Sequence, residues 1–133
     1  MKQSPRLKFE SSAFAVIPGE DADTNPGIYG KTLAGWLGQQ LRLAGLDAGN
    51  VIGEDFGWCV PVKSPPYTLY VACANDETAD HWQIFTFVEG GLMDRIFRKD
   101  KSAGLLAPLH ATVRRCLESS SVVRKLREET SRY

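Results

Sequence analysis

Between residues 56 and 88 three apolar-patterned segments follow one another with only short polar stretches between them. "FGWCVPV" places Phe56, Trp58, Val60 and Val62 on one parity, and "YTLYVACA" does the same with Tyr67, Leu69, Val71 and Cys73. Alternation of this kind is the signature of half-buried strands. "WQIFTFVE" is apolar on both parities, with Trp82 and Ile84 on one and Phe85 and Phe87 on the other. A strand of that composition is central, or has its second face covered. The connections "SPP" and "NDETAD" are turn-like, so the three segments predict an antiparallel meander. Pro61 lacks a ladder donor, which predicts an edge position or a bulge in the first of them.

Ahead of the meander lies a helical pattern. Tyr29, Leu33, Trp36, Leu37, Leu41 and Ala44 recur at helical spacing and make one apolar stripe. Asn25 and Pro26 suit the cap and first turn, and Gly45 followed by Leu46 suits a glycine stop. Gly30, Gly35 and Gly38 each cost about 1 kcal/mol of helix propensity and read as points of close approach to a sheet. "NPGIYGKT" lacks the spacing of a phosphate-binding loop. At the N-terminus "LKFESSAFAVI" reads as an extended segment whose apolar residues change parity, as a bulge at Ser11–Ser12 would make them do. After Gly90–Gly91, "LMDRIFRKD" has helical period. Leu106, Leu109, Val113 and Leu117 define a further helix, with Pro108 near its start, and "SSSVVRKLREET" reads as a last short one with Val122, Val123 and Leu126 inward.

The expectation is a single α+β domain over residues 1–133, in the order β-α-β-β-β-α-α: a mostly antiparallel sheet of about four strands with helices packed on one face. A chain of 133 residues with 43% hydrophobic composition can bury a core without staples. No run approaches the roughly 18 apolar residues of a membrane span. "MKQSPRLKFE" lacks the apolar stretch of a signal peptide, so the expected setting is soluble and cytoplasmic, with no membrane partner. Cys59, Cys73 and Cys116 are odd in number and widely spaced, which predicts buried thiols rather than disulfides or zinc ligands.

Charge is balanced overall but not along the chain. Residues 1–93 carry 6 basic and 11 acidic side chains, and residues 94–133 carry 10 and 5, so acidic chemistry is sought in the first part and basic chemistry in the last. Glu54 and Asp55 precede a strand, and Asp76, Glu77 and Asp80 follow the next one. In an antiparallel pair those positions share an edge. Paired carboxylates can divide acid and base work, but adjacent residues entering a strand point apart. "NDETADHW" lacks the pattern of a calcium loop, and His81 has no second histidine at ligand spacing, so neither a metal nor a cofactor is expected. No nucleophile elbow accompanies His81 or His110.

The leading expectation is a non-catalytic domain that binds another protein with a basic surface through Glu54, Asp55, Asp76, Glu77 and Asp80. Small immunity and antitoxin proteins have comparable size and α+β character, a likeness of architecture alone. The alternative is a small enzyme or ligand-binding domain with a pocket lined by Trp36, Trp58 and Trp82. A further alternative is nucleic-acid binding through Arg95, Arg98, Lys99, Lys101, Arg114, Arg115, Arg124, Lys125 and Arg127. Acidic residues interrupt that run, and Phe97 is its only aromatic before Tyr133.

Overall fold

The structure, a computed structural model, describes residues 2–88 and 103–130. In chain order its elements are β1 (Lys2–Gln3), β2 (Arg6–Glu10), a 3-10 turn (Glu20–Ala22), α1 (Lys31–Leu43), β3 (Ile52–Glu54), β4 (Gly57–Ser64), β5 (Tyr67–Asp76), β6 (Thr78–Val88), α2 (Ala103–Glu118) and β7 (Arg124–Glu129). Six strands lie side by side as β3-β4-β5-β6-β2-β7, all neighbours antiparallel, and the two-residue β1 also pairs with β6.

The meander β4-β5-β6 stands as its alternation requires. Trp58, Val60, Val62, Leu69, Val71, Cys73, Trp82 and Ile84 enter one core with Leu33, Leu37 and Leu41 of α1 and Leu106, Leu109, Val113 and Leu117 of α2. Cys59, Ala72, Phe85 and Phe87 form a second cluster on the opposite face. The double apolar parity of β6 is thereby explained: it is a central strand that supplies both clusters. Pro61 sits where β4 is only partly flanked. Its carbonyl accepts from Gly49 N–H at 2.8 Å on the outer side. In an antiparallel strand the nitrogen of a residue points the same way as its carbonyl, so β5 loses no bond.

Several expectations change. The sheet is wider than about four strands because two segments without strong alternation join it. β3 is one, paired to β4 through Ile52↔Cys59 and Glu54↔Gly57. The other is β7, where a short helix was expected over "SSSVVRKLREET". The outer edge of β2 offers a row of backbone groups, and the charges of β7 fit those of β2: Lys8 bonds Glu129 at 3.0 Å and Lys125 bonds Glu10 at 3.3 Å. Cross-strand pairing of this kind outweighs a weak local preference. A register shift between Lys8 and Glu10 and a positive φ of 54° at Lys125 mark a bulge there. The bulge expected at Ser11–Ser12 is absent, since β2 ends at Glu10 and the chain turns away to bury Phe14. The helix expected over residues 92–100 lies outside the described residues.

α1 starts later than its sequence suggests. Gly27 has φ 82°, outside the helical region, and Ile28 N–H bonds Asn25 carbonyl at 3.0 Å. Asn25-Pro26-Gly27-Ile28 is thus a turn with proline and glycine at its centre, not the first helical turn. Gly30 is the true cap position and makes no side-chain cap bond. The acceptor comes instead from ten residues upstream. Glu20 is only 5% exposed; its Oε1 accepts from Gly30 N–H at 2.8 Å and Lys31 N–H at 3.0 Å, and its Oε2 from Ile17 N–H at 2.7 Å. A carboxylate at a helix N-terminus also meets the positive end of the helix dipole.

Gly30 cannot be larger: a Cβ there would lie 2.6 Å from the Cys73 carbonyl oxygen. Of the other helix glycines, Gly38 faces Val60 at ordinary contact distance, whereas Gly35 has open space around it. Glu20→Ala removes the acceptor of three backbone donors, and the expected destabilisation is roughly 2–4 kcal/mol. Chemical denaturation of the variant against the parent measures it, and an unchanged midpoint would remove Glu20 from this role. Glu20→Gln keeps an acceptor for the helix but sets an amide donor against Ile17 N–H, so it falls between the two.

Candidate functional site

Three connections meet at one end of the sheet. The β3–β4 hairpin turns through Asp55 and Phe56, and the β5–β6 hairpin turns at Glu77, whose φ is 33°. The register Trp58↔Cys73 puts the start of β4 beside the end of β5, so both turns lie at the same end. The segment Gly19–Gly30 then runs across it. Asn25 N–H bonds Asp55 carbonyl at 3.0 Å. Asn75 holds the other side: its Oδ1 accepts from Tyr29 N–H and its Nδ2 donates to Gly27 carbonyl, both at 3.0 Å. The loop passes so close to β3 that a Cβ on Gly53 would lie 2.7 Å from the Asp23 carbonyl oxygen. Backbone groups that would otherwise be orphaned are satisfied here, which makes this irregular end a fixed surface.

The carboxylates expected to share an edge are distributed as follows. Glu54 and Asp55 are exposed at the β3–β4 tip; Glu77 and Asp80 are exposed at the β5–β6 tip. No cation stands within ion-pair distance of these four among the described residues. Asp76 differs. It is half-buried and pairs with Lys8 at 3.4 Å, so its charge is answered within the protein. Asp23 joins the exposed group from the crossing loop.

Phe56 is the residue that sequence reasoning misplaced. Its parity assigned it to the buried face of β4, yet it sits in the turn, 40% exposed, with its ring 6.1 Å from Phe85 and 5.6 Å from Phe87. The glycine that follows it was the available signal, because Gly57 opposes Glu54 and so ends the turn. An exposed aromatic flanked by carboxylates has the composition of an interface anchor with a polar rim.

Among the described residues no cavity is lined by all three tryptophans. Phe14 lies between Trp36 (centroids 5.3 Å) and Trp82 (6.3 Å, edge-on), filling the space between those two. Trp58 is separate, with Lys31 Nζ 5.0 Å above its ring. Trp36 instead borders an open groove of about 660 Å³ between the C-terminal ends of α1 and α2, with Leu43, Arg115 and Cys116. Trp82 and Phe14 underlie a crease of about 320 Å³ at the acidic end, between residues 12–16 and the β5–β6 tip.

The histidines and cysteines have structural settings. His81 Nε2 is 3.4 Å from Glu10, and His110 Nε2 is 2.6 Å from Glu128 Oε1. Cys59 and Cys73 are buried and Cys116 partly so. Burial pushes the Cys73 thiol well above its ordinary range and the Cys116 thiol up as well. Among the described residues no three of His, Cys, Asp and Glu gather as metal ligands would, and no helix is long and apolar enough to cross a membrane.

The basic residues of the C-terminal part divide. Arg114 bonds Glu128 at 3.0 Å and Glu118 at 3.7 Å, Arg127 lies 3.6 Å from Glu129, and Lys125 meets Glu10. Arg115 donates to Thr112 Oγ1, and Arg124 is exposed. Arg95, Arg98, Lys99 and Lys101 lie outside the described residues. Comparison of the chain with protein-family models, with curated proteins and with solved structures finds no match.

Glu128 ties β7 to α2. The hydrogen bond from His110 holds its carboxyl below the ordinary glutamate range, and Arg114 adds to this. A depressed folded value means the contribution is present above the unfolded value of about 4.5 and is lost as pH falls through the folded one. Hydrogen exchange, corrected for intrinsic rates, should therefore show β7 amides losing protection as pH drops below about 4.5. The Glu128→Gln protein should show a weaker dependence in β7, because only the carboxyl of Glu129, held low by its bond from Lys8, then remains there to titrate. Equal acid sensitivity in both proteins would detach this carboxylate from the docking of β7.

Proposed function

We propose that this chain is a non-catalytic binding protein that recognises another protein with a basic surface through the acidic end of its sheet, in the manner of an immunity or antitoxin protein. One observation carries the reading: Glu54, Asp55, Glu77 and Asp80 are exposed, lie at one end, and have no cation partner among the described residues, beside the exposed Phe56. Like charges crowded together repel and do not stabilise the fold, so a partner that answers them gains encounter rate and register. Phe56 supplies what the charges do not, an apolar anchor whose burial slows dissociation. The fixed loop beneath keeps the surface preformed, which lowers the ordering cost of association.

The pairing of Asp76 with Lys8 makes Asp76 a poor probe, because reversing it would set two cations together inside the protein. Glu54→Lys with Asp55→Lys is the suitable variant, since both side chains are exposed at a turn. Its folding stability should move by about 0.5 kcal/mol or less per site. Capture from the native cell, with this variant as the counter-bait, identifies proteins that need the acidic tip. On the protein so identified, association with the variant should be about tenfold slower at low salt, and the difference should shrink as salt is raised. Identical capture by both baits, or equal association rates, would overturn the reading.

A further inference from the structure

We infer that the groove between the C-terminal ends of α1 and α2 is a two-fold interface at which two copies of this chain pair, each inserting Leu43 between the other's helices. Leu43 is 82% exposed, whereas the other exposed large apolar side chains among the described residues lie between 39% and 47%. A single exposed leucine is ordinary on a protein surface. This one is set apart by what lies beside it. Residues three, four and seven apart on a helix share a face. Trp36, Gln40 and Leu43 are such a row on α1, and Thr112, Arg115 and Cys116 are one on α2; between them the rows wall a groove of about 660 Å³. Trp36 and Cys116 are half-buried and add apolar surface to it.

The occupant follows from charge and symmetry. Arg115 is the only charged residue on the walls among the described residues, in a chain of which 24% of residues are charged. Depletion of charge around apolar surface is the composition of an interface centre. Such a groove does not select a partner by charge, as the acidic end does. The chain has no net charge, so two copies meet without repulsion. A protruding side chain next to a hollow is self-complementary about a two-fold axis, each one entering the other's hollow. Groups close to that axis face their own kind. Gln40, Ser119, Ser120 and Ser121 border the groove, and an amide or a hydroxyl both donates and accepts, so like pairs with like where a carboxylate or an ammonium would not.

Arg115 fits the same arrangement. It is held along α2 by its bond to Thr112 Oγ1 at 3.0 Å. Leu43 is the last residue of α1, so its insertion brings the negative end of that helix dipole to the other copy's Arg115. Glu54, Asp55, Glu77 and Asp80 do not line the groove. Pairing therefore leaves both acidic ends free, and the inference stands apart from the proposed function.

The test is sedimentation equilibrium of the full chain from micromolar to near-millimolar concentration. A monomer–dimer equilibrium with a dissociation constant in the micromolar range is expected. Raised salt should leave it intact, unlike association at the acidic end. Leu43→Gln should keep the parent's denaturation midpoint and weaken pairing by about tenfold or more, because a two-fold contact loses the side chain twice. Ile52→Gln, the same change at an exposed position on β3, should have no effect. Ser121→Lys, also at an exposed position, sets like charges against each other across the axis and should weaken pairing independently, which serves if Leu43→Gln does not fold. Amide shifts on dilution should be confined to residues 36–44 and 112–121. A monomer at every concentration, a dimer that neither Leu43→Gln nor Ser121→Lys weakens, or dilution shifts confined to β7 or to the acidic end would overturn the inference.

Discussion

The buried carboxylate of Glu20 ties the start of α1 to the loop that precedes it. It accepts three backbone donors, two at the start of α1 and one at Ile17. Removing a charge from water is costly, and only a full set of donors makes burial tolerable. By taking that set from both sides of the loop, Glu20 fixes residues 17–31 as a unit. That loop closes over the sheet end where β3 turns into β4 and β5 into β6, so the cap of one helix also sets the shape of the proposed binding surface.

Close approach enforces the same arrangement. The Cys73 carbonyl oxygen is met from two directions, by Gly30 and by Gly57, and a Cβ on either would come within 2.6 Å of it. The helix start and the hairpin are therefore held against one short stretch of β5. The charges at the tips are left outside this packing. Asp76, the carboxylate drawn inward, is also the one that finds Lys8. At these tips burial and pairing go together, and exposure and the lack of a partner among the described residues go together, which is the basis of the proposal made for the exposed four.

At the far edge a different logic holds. β7 is almost wholly exposed and contributes little apolar burial. Backbone pairing with β2 holds it, together with Lys8–Glu129, Lys125–Glu10 and the Glu128 contacts to His110 and Arg114. Charged side chains and a bulge at Lys125 are the usual means by which an open edge avoids indiscriminate pairing.

The sequence by itself determined the meander, the body of α1, the apolar face of α2 and the shared end for the carboxylates of the two hairpins. Each follows from periodicity and turn chemistry, which are local and survive in any well-packed version of the chain. It did not determine where α1 begins, because the capping acceptor is a glutamate ten residues away and Asn25-Pro26 looks locally like a cap. Nor did it determine that "RKLREE" is a strand, since β2, whose Lys8 and Glu10 pair with Glu129 and Lys125, lies more than a hundred positions earlier. The pairing of Asp76, the exposure of Phe56 and the crease beside Trp82 were likewise settled only when distant segments met. Local patterns record which face of an element is apolar. Which donors, charges and edges are already satisfied depends on what the rest of the chain brings beside them, and only the tertiary structure decides that.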